Sequence, residues 1–377
     1  MPVSRLFVPL VGAALALGVA LPAHAALRSI WQAGAAATPA PLDYTSLTCR
    51  KQVPPPYTGP LQIDSKYDQS DPSKSTLSTK SQSAASQLAY RSATEYTKNL
   101  VRFADYYVRA ETPGHAAMAL ACIDQWLQTW AEADALSSRD ASKTGLAIRK
   151  WSLVAISSVI LKTQALSHGQ LQLSDAQRKW LNHLATLVME DYAPRLEPDF
   201  VYFNNHDYWA AWALASTGIV LDQPRYLDIA ERVMRRALQQ ITPGADGRYA
   251  YLPNELARGK LAANYTHYAL VPLTLVAEAL RRNGNRLSED DEHKLELLAN
   301  FAAQLVLDPK QLPELKGQKQ EPVQPYKMAW LIPFLSHAPK HQLANRLYRE
   351  EAGSIDGYSQ IGGRIEPLYP SLQALKR

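Results

Sequence analysis

The feature that most constrains the fold is a helical spacing of apolar residues, which repeats along almost the whole chain after residue 80. Apolar positions recur three and four residues apart, as at Leu100, Val101 and Ala104, which is the period of an α-helix. Alternating patterns that would indicate β-strands do not occur. Predicted helices cover roughly 81–104, 116–135, 144–166, 175 onward, 207–220, 225–241, 259–283, 289–307, 322–336 and 340–350. We therefore predict an all-α protein built from antiparallel helical hairpins.

The first 25 residues have the pattern of a secretory signal peptide. Arg5 supplies a positive charge, residues 6–21 are mostly apolar, and Ala23-His24-Ala25 fits a small-residue cleavage site. The apolar stretch is short for a membrane span, although a retained anchor is the alternative. We expect export to the periplasm, a mature chain that begins near Ala26, and no membrane anchor after cleavage.

The region that follows is rich in Pro, Ser, Thr and Ala and predicts an extended arm that ends in a loop. The domain organisation is then a signal peptide at 1–25, an arm and loop at 26–80, and a helical domain at 81–377. Cys49 and Cys122 lie in an oxidising compartment, so we predict a disulfide between them. Closing this loop would stabilise the fold by about 4–5 kcal/mol in a chain-entropy treatment.

The composition suits binding to an acidic sugar polymer. The formal net charge is +5, and 19 tyrosines and 8 tryptophans outnumber 6 phenylalanines. Aromatic rings stack on sugar faces and cations pair with uronate carboxylates, although many of these rings would simply fill helix interfaces. A ring of helical hairpins would leave a groove for a linear polymer. We expect a monomer that binds an anionic polysaccharide and no nucleic acid. No metal is expected, because His and Cys residues lack ligand spacing.

The first candidate site segment is 204–209 (Asn-Asn-His-Asp-Tyr-Trp), at the start of a predicted helix. One interpretation is structural, with Asn205 as the N-cap and Trp209 packed in the core. In the other interpretation, the helix start, Asn205 and His206 bind a carboxylate. His206 would also orient a base. Trp209, one turn after His206, would stack on a sugar ring.

The second candidate segment contains Arg258, Tyr265 and Tyr268, which share one face if a single helix carries all three. The alternative is a tyrosine pair that packs on a neighbouring helix. In the functional interpretation, Arg258 neutralises a substrate carboxylate and Tyr265 exchanges protons. The pKa of a free tyrosine is near 10, so a base at Tyr265 requires a neighbouring cation or donor that stabilises the phenolate. Arg258 and His206 are the candidates.

Three more cationic residues are candidates for substrate contact. Lys66 lies in a Ser-rich loop and is either a surface lysine or a lid residue that closes over an anionic chain. Arg149 and Lys150, which precede Trp151, form a possible second cationic contact, with a solvated helix surface as the alternative.

Together these segments resemble the mannuronate-type alginate lyases, polysaccharide lyase family 5. Six segments match in order over most of the mature chain: 53–59 (Val-Pro-Pro-Pro-Tyr-Thr-Gly), 65–67 (Ser-Lys-Tyr), 149–151 (Arg-Lys-Trp), 204–212 (Asn-Asn-His-Asp-Tyr-Trp-Ala-Ala-Trp), 252–256 (Leu-Pro-Asn-Glu-Leu) and 265–270 (Tyr-Thr-His-Tyr-Ala-Leu). Each segment alone is weak, whereas six in one order are specific. The family also has cysteines in the places of Cys49 and Cys122.

The resemblance implies an incomplete α/α toroid and β-elimination at a 4-O-linked uronate, with no cofactor. The residues to which it gives roles are carboxylate-binding Asn205, His206 and Arg258, the acid–base Tyr265, the lid Lys66, and the subsite residues Trp209 and Tyr268. In mannuronate the C5 hydrogen and O4 lie on the same side, so one residue can remove the proton and later protonate the leaving oxygen. Whether Tyr265 or His206 abstracts that proton stays open at this point.

The chain departs from the family pattern at Gln360, Met328 and Ile332, where the family has Arg, Tyr and Glu, and at Thr266-His267, where it tends to His-Asn. If these positions line the groove, another polyuronate such as polyglucuronate is an alternative substrate. A non-catalytic polyuronate-binding protein is an alternative from another class. A glycoside hydrolase is a third, but it requires two acids that flank the bond, and the nearest acids, Asp207 and Glu255, are not obviously paired.

Overall fold

The computed structural model describes residues 25–32, 38–351, 353–355 and 357–372. Its helices within these ranges are α1 (Ala84–Val108), α2 (Pro113–Glu132), α3 (Lys143–Leu166), α4 (Asp175–Tyr192), α5 (Asn205–Leu221), α6 (Pro224–Gln240), α7 (Pro253–Leu256), α8 (Ala262–Arg282), α9 (Glu289–Leu307), α10 (Leu331–His337) and α11 (Gln342–Glu350). Strands β1 (Thr242–Pro243) and β2 (Ala250–Tyr251) form one short antiparallel pair. The all-α prediction is confirmed. The predicted signal peptide lies outside the described residues, except for Ala25.

Short polar side chains set the starts of several long helices. Ser83, Thr112, Ser142 and Ser288 each accept a hydrogen bond from a backbone N–H in the first turn of the helix that follows. Such caps satisfy N–H groups that have no partner inside the helix. The sequence therefore fixes where each helix begins, and with it where the intervening loops meet.

Two helices, α3 and α5, form the centre of the fold. They pack on each other, and α1 contacts α3 while α4, α6 and α8 contact α5. Among the described residues, α3 is the helix that is long and apolar enough to cross a membrane. However, 83% of its most apolar window is buried inside the protein, as in a core helix. The N-terminal ends of these central helices lie at one end of the fold.

The N-terminal arm packs against the helical core. Leu61 is fully buried, and its N–H donates to the carbonyl of Asp140 at 2.7 Å. A Cβ added to Gly145 in α3 would lie 1.8 Å from the Leu61 carbonyl oxygen, so this close approach requires glycine. The predicted disulfide is confirmed, because Cys49 in the arm is bonded to Cys122 in α2 across a separation of 73 residues.

We expect the double replacement Cys49→Ser, Cys122→Ser to lower the free energy of unfolding by about 4 kcal/mol, because the unfolded chain loses its cross-link. Denaturant titration of the two proteins measures this difference. Fully reduced wild-type protein is the matched control, and its unfolding midpoint should equal that of the double variant. Equal unfolding free energies for the oxidised wild type and the double variant would contradict a stabilising role.

Two predicted helices are interrupted in the structure. The predicted helix at 259–283 begins only at Ala262, because Gly259 has a φ of +60° and starts a short 3₁₀ turn. The predicted helix at 322–336 is a 3₁₀ segment, Pro325–Trp330, followed by α10. In a continuous helix from residue 322, the N–H of residue 325 would bond to the carbonyl of residue 321, and Pro325 has no N–H to do so.

Candidate functional site

A cleft of about 800 Å³ lies where the loop that follows residue 63 crosses the N-terminal ends of α3, α5 and α8. Six of the predicted site residues line it: Lys66, Asn205, His206, Arg258, Tyr265 and Tyr268. Residues from the C-terminal part of the chain, including Tyr326, Lys327 and Tyr358, close the other side. The fold thus brings together side chains that are far apart in sequence, such as Lys66 and Tyr358, which are 292 positions apart.

The start of α5 is held by Asn204, and the prediction that Asn205 is the cap is wrong. Asn204 Oδ1 accepts from the His206 N–H at 3.0 Å, and Asp207 Oδ2 accepts from the Asn204 N–H at 2.8 Å. Arg195 donates from Nη2 to the same Asp207 oxygen at 2.8 Å. Asn205 is therefore the first helical residue, and its side chain is free to face another group. Every residue of α5 except His206 is buried, so His206 is the point at which this core helix opens to the cleft.

Glu255 holds Asn205 in place, a role that sequence reasoning missed. The Glu255 carboxylate accepts from the Asn205 backbone N–H at 2.6 Å and from Asn205 Nδ2 at 2.9 Å. Burial raises the pKa of Glu255 to about 7, while the hydrogen bonds from Asn205 and the charge of Arg258 oppose the rise. Asn205 Oδ1 is buried and has no hydrogen-bond partner among the described residues. The amide is therefore oriented by Glu255 and keeps one unused acceptor.

Lys150 contacts both the backbone and the ring of His206. Lys150 Nζ lies 3.0 Å from the carbonyl oxygen of His206 and 3.3 Å from its Nδ1. Burial, followed by the charges of Lys150, Arg195 and Arg258, lowers the pKa of His206 well below its usual range. The imidazole is therefore neutral at neutral pH. The ring of Trp151 lies beside it, with 5.5 Å between the ring centroids.

Arg258 lies directly on the ring of Tyr265, although no continuous helix joins them. The sequence analysis placed them on one helix face, and this premise is wrong because of the break at Gly259. The break instead folds Arg258 back, so that its guanidinium carbon lies 3.5 Å from the Tyr265 ring centroid. Burial raises the pKa of Tyr265, and the Arg258 charge opposes the rise. Tyr265 is therefore a protonated phenol beside a cation.

The loop that carries Lys66 touches both of these residues. Tyr265 donates its hydroxyl proton to the Tyr67 hydroxyl at 3.0 Å, and Arg258 donates from Nη2 to the carbonyl of Lys74 at 2.7 Å. Tyr67 pairs with Leu77 in an antiparallel bridge. Asp71 braces the turn between them, because its carboxylate accepts from the backbone N–H groups of residues 73, 75 and 76. The loop thus lies against the residues expected to react, and Lys66 lies on the cleft wall.

Three predicted substrate contacts do not reach the cleft. Trp209 and Lys150 are 0% exposed and Arg149 is 1% exposed, and none of them lines the cleft. Trp209 packs behind Tyr268, at 5.1 Å between centroids, because it points from α5 into the core. Arg149 turns away to the Ser138 carbonyl, 3.1 Å from its Nη2. The prediction of direct sugar contact is wrong for all three.

Part of the aromatic surface in the cleft comes from residues that the sequence analysis did not select. Trp151, Tyr326 and Tyr358 line it together with Tyr268. Trp151 lies in the matched segment 149–151, directly after Arg149 and Lys150. Spacing alone did not show which of these three residues faces the cleft. Tyr326 and Tyr358 lie in non-helical or 3₁₀ segments, where no periodic pattern indicates a face.

The departures from the family pattern lie outside the cleft lining. Met328 is 2% exposed and Ile332 is 0% exposed, so both are core residues. His267 is also fully buried, and its Nδ1 accepts from the indole N–H of Trp330 at 2.9 Å. Gln360 accepts from the Tyr358 hydroxyl at 2.5 Å and so positions a cleft residue without lining the cleft. The view that these losses change groove positions is therefore wrong. Among the described residues, no group of three or more His, Cys, Asp or Glu side chains could hold a metal ion.

Comparison with known proteins agrees with this arrangement. The chain matches the alginate lyase family over residues 62–312. It is 32% identical over 337 residues to an alginate lyase of Pseudomonas putida, covering 86% of this chain and 85% of the relative. It is 32% identical over 371 residues to an alginate lyase of Pseudomonas aeruginosa, covering 93% and 96%.

The fold is similar to that of solved alginate lyases. The structure of alginate lyase A1-III from Sphingomonas species A1 aligns with a TM-score of 0.62 at 18% identity, covering 89% of each chain. A tyrosine-to-phenylalanine variant of A1-III, solved with a tetrasaccharide, aligns with a TM-score of 0.64 at 19% identity and covers 88% of each chain. The incomplete α/α toroid is thereby confirmed as the fold. Sequence and fold agree that this chain belongs to the alginate lyase family.

Proposed function

We propose that the protein is an alginate lyase that cleaves mannuronate-rich alginate by β-elimination. The observation that carries the proposal is the meeting of Arg258, His206 and Asn205 with Tyr265 in one cleft. Arg258 and His206 offer donors to a carboxylate, Asn205 lies beside them, and Tyr265 is a phenol within contact of a cation. No other cluster of this composition was predicted from the sequence.

The charge of the cleft suits a polyanion. Its cationic lining residues are Lys66, Lys74, Lys143, Arg258 and Lys327, and its acidic lining residues are Asp64 and Glu321. Cations that converge on a concave surface raise the local concentration of an acidic polymer and direct its entry. The aromatic surfaces of Trp151, Tyr326 and Tyr358 can stack on sugar rings between these charges.

The reaction requires one proton to move from C5 to O4. Arg258 and His206, beside Asn205, donate to the C5 carboxylate and stabilise the enediolate that forms when the C5–H bond breaks. Tyr265 first loses its own hydroxyl proton to solvent, a step that the Arg258 charge favours, and the phenolate then takes the C5 proton. The electron pair then forms the C4–C5 double bond, the C4–O4 bond breaks, and the Tyr265 hydroxyl returns the proton to O4. The products are a new chain end and an unsaturated uronate, and Tyr265 is again a phenolate.

Hydrolysis fits the site poorly, because its acids are already engaged. Asp207 is 1% exposed and pairs with Arg195, and Glu255 is 0% exposed and binds Asn205. Neither carboxyl group reaches the cleft. The two acids that line it are also engaged, because Asp64 accepts from the Ser83 N–H at 3.0 Å and Glu321 pairs with Lys260 at 2.9 Å. A hydrolase needs two available carboxyl groups that flank the bond. Mass spectrometry of the products tests this point. Each lyase cut gives a fragment that is lighter by one water than a hydrolysis fragment, and hydrolytic masses would overturn the proposal.

We propose that the protein acts in the periplasm. The proposal rests on the signal-peptide pattern of residues 1–25. The position of the segment that follows agrees with it, since Ile30 and Trp31 are each 2% exposed. The Leu27 N–H donates to Asp222 at 2.8 Å. The folded protein thus uses the chain from directly beyond the predicted cleavage site.

Lys327 predicts a pH dependence of substrate binding. It lines the cleft and donates to Asn264 Oδ1 at 2.8 Å, and burial, followed by the charge of Lys66, lowers its pKa to about 8. Its positive charge is present below that pH and is lost above it, so KM for polymannuronate should rise above about pH 8. Lys327→Gln should raise KM at pH 7 and flatten this step, while Lys179→Gln, an exposed lysine on α4, should change neither. A step that persists in Lys327→Gln would contradict the assignment.

A further inference from the structure

Lys150 is buried next to the site but does not contact the cleft. It is 0% exposed, and both of its hydrogen bonds among the described residues go to one partner, His206. One reaches the carbonyl oxygen at 3.0 Å and the other reaches ring Nδ1 at 3.3 Å. Two contacts to the same residue fix both the backbone position and the rotation of the imidazole.

Within the described parts of the chain, no carboxylate forms a hydrogen bond or ion pair with Lys150. The negative charge that acts on it is that of Asp207, which is bonded to Arg195 and to the Asn204 N–H. Nζ instead lies 4.9 Å from the ring centroids of both Trp151 and Tyr192, whose faces favour a cation. Burial lowers the pKa of Lys150. The ammonium and the neutral amine each carry enough hydrogens to donate to both atoms of His206.

An isolated buried lysine is costly unless it has a function or a partner. A surface ion pair or a packing residue would not require this arrangement, since a methionine of similar length would fill the same space without the cost of burying an amine. We therefore look for the role of Lys150 in the group that it contacts, the imidazole of His206.

We propose that Lys150 is a positioning residue that sets the tautomer of His206, and this proposal rests on the lyase function proposed above. In this proposal the lysine is the donor in the 3.3 Å contact between Nζ and Nδ1, so Nδ1 accepts and the single ring proton of the neutral imidazole stays on Nε2. Nε2 is the ring nitrogen that Lys150 leaves free, and His206 lines the cleft.

The consequence is a division of labour between the two candidate bases. With its proton on Nε2, His206 presents a donor to the substrate carboxylate and has no lone pair there to accept the C5 proton. The proton transfer then falls to Tyr265. A neutral donor held in this way strengthens its hydrogen bond as the enediolate forms, without adding a second mobile proton to the site.

The test compares Lys150→Met, which removes the donor, with Lys150→Gln, which removes the charge but keeps an N–H. Nitrogen-15 NMR of His206, assigned by the loss of its signal in His206→Gln, distinguishes a protonated from an unprotonated ring nitrogen. We expect an Nε2–H ring in the wild type and in Lys150→Gln, and a mixture of tautomers in Lys150→Met. Lys51→Met, a change at an exposed lysine outside the cleft, should leave the His206 signal unchanged.

Kinetics and stability complete the test. In Lys150→Met, kcat on polymannuronate should fall by about 10–100-fold, while KM changes little. This is less than the roughly 10⁴-fold loss for a catalytic histidine held in the wrong tautomer, because a mixture of tautomers keeps some Nε2–H rings. Lys150→Gln should recover much of this loss. A melting temperature near that of the wild type identifies folded protein in each variant.

The results separate this proposal from the proposed function. An Nδ1–H ring in the wild type would overturn the role of Lys150 whatever the activity. An unchanged tautomer and kcat in folded Lys150→Met, with only the melting temperature altered, would leave Lys150 a purely structural residue. The NMR measurement needs no substrate, so failure of the enzyme to cleave polymannuronate would overturn the proposed function without affecting the tautomer result.

Discussion

Tyr265→Phe is expected to lower kcat on polymannuronate by on the order of 10³-fold or more, while polymer binding remains close to that of the wild type. The hydroxyl is the only atom removed, and in the proposed mechanism it both takes the C5 proton and returns it to O4. The phenyl ring keeps its contact with Arg258, whose guanidinium carbon lies 3.5 Å from the ring centroid, so the carboxylate site stays formed. Binding is measured by calorimetry with polymannuronate oligosaccharides, and turnover by the appearance of unsaturated product.

The matched control is Tyr67→Phe, which removes the hydroxyl that accepts from Tyr265 at 3.0 Å. This variant keeps the reacting hydroxyl and should retain most of the activity. If Tyr265→Phe kept activity within tenfold of the wild type, another residue would have to carry the proton. If both binding and turnover were unchanged from a wild type that shows no turnover, the protein would be a polyuronate-binding protein.

Arg258→Ala is expected to lower kcat/KM by roughly 10²–10³-fold, because the enediolate loses a cationic donor. It should also move the pH profile. Burial raises the pKa of Tyr265 and the Arg258 charge lowers it, so loss of that charge raises it further. A base must be deprotonated to act, and activity is therefore lost as the pH falls below its pKa. The rising limb of kcat/KM should thus shift to higher pH in the variant.

Arg258→Lys is the control for this shift. This variant keeps the positive charge and loses the planar group that lies on the Tyr265 ring. The rising limb of its kcat/KM profile should therefore stay closer to the wild-type pH, while kcat/KM itself still falls in part. A rising limb at the same pH in the wild type and in Arg258→Ala would show that Arg258 does not tune the group that titrates. In that case Arg258 would act on the substrate alone.

The helical architecture could be predicted from the sequence because apolar spacing and capping residues are local signals. The boundaries failed where a single residue overrides the pattern, as Gly259 does by adopting a positive φ within an otherwise helical stretch. That error also affected the site, since the pairing of Arg258 with Tyr265 was expected from helical spacing and is produced instead by the break. The expected proximity of Arg258 and Tyr265 was correct, but the helical spacing given as its cause was wrong.

Site residues that face the cleft were predicted where chemistry and segment order agreed, as for Asn205 and His206. The direction in which each side chain points, into the core or into the cleft, could not be predicted. Spacing gives the face of a helix but not which face meets solvent, and α5 is buried on all sides except at His206. Trp209 was therefore assigned to a sugar subsite when it packs in the core. Lys150 orients His206 and Glu255 orients Asn205, and in each pair the two residues are 50 or more positions apart. A local sequence pattern cannot predict such contacts.

The central claim is tested most directly by mixing purified mature protein, from Ala26 onward, separately with polymannuronate, polyguluronate and polyglucuronate and following the ultraviolet absorbance of the unsaturated product. The account predicts a rise in absorbance with polymannuronate that is much faster than with the other two polymers. A rise with polyguluronate or polyglucuronate alone would contradict the proposed substrate and leave the β-elimination chemistry in place. No rise with any of the three, from protein shown to be folded by its circular dichroism, would contradict the account as a whole.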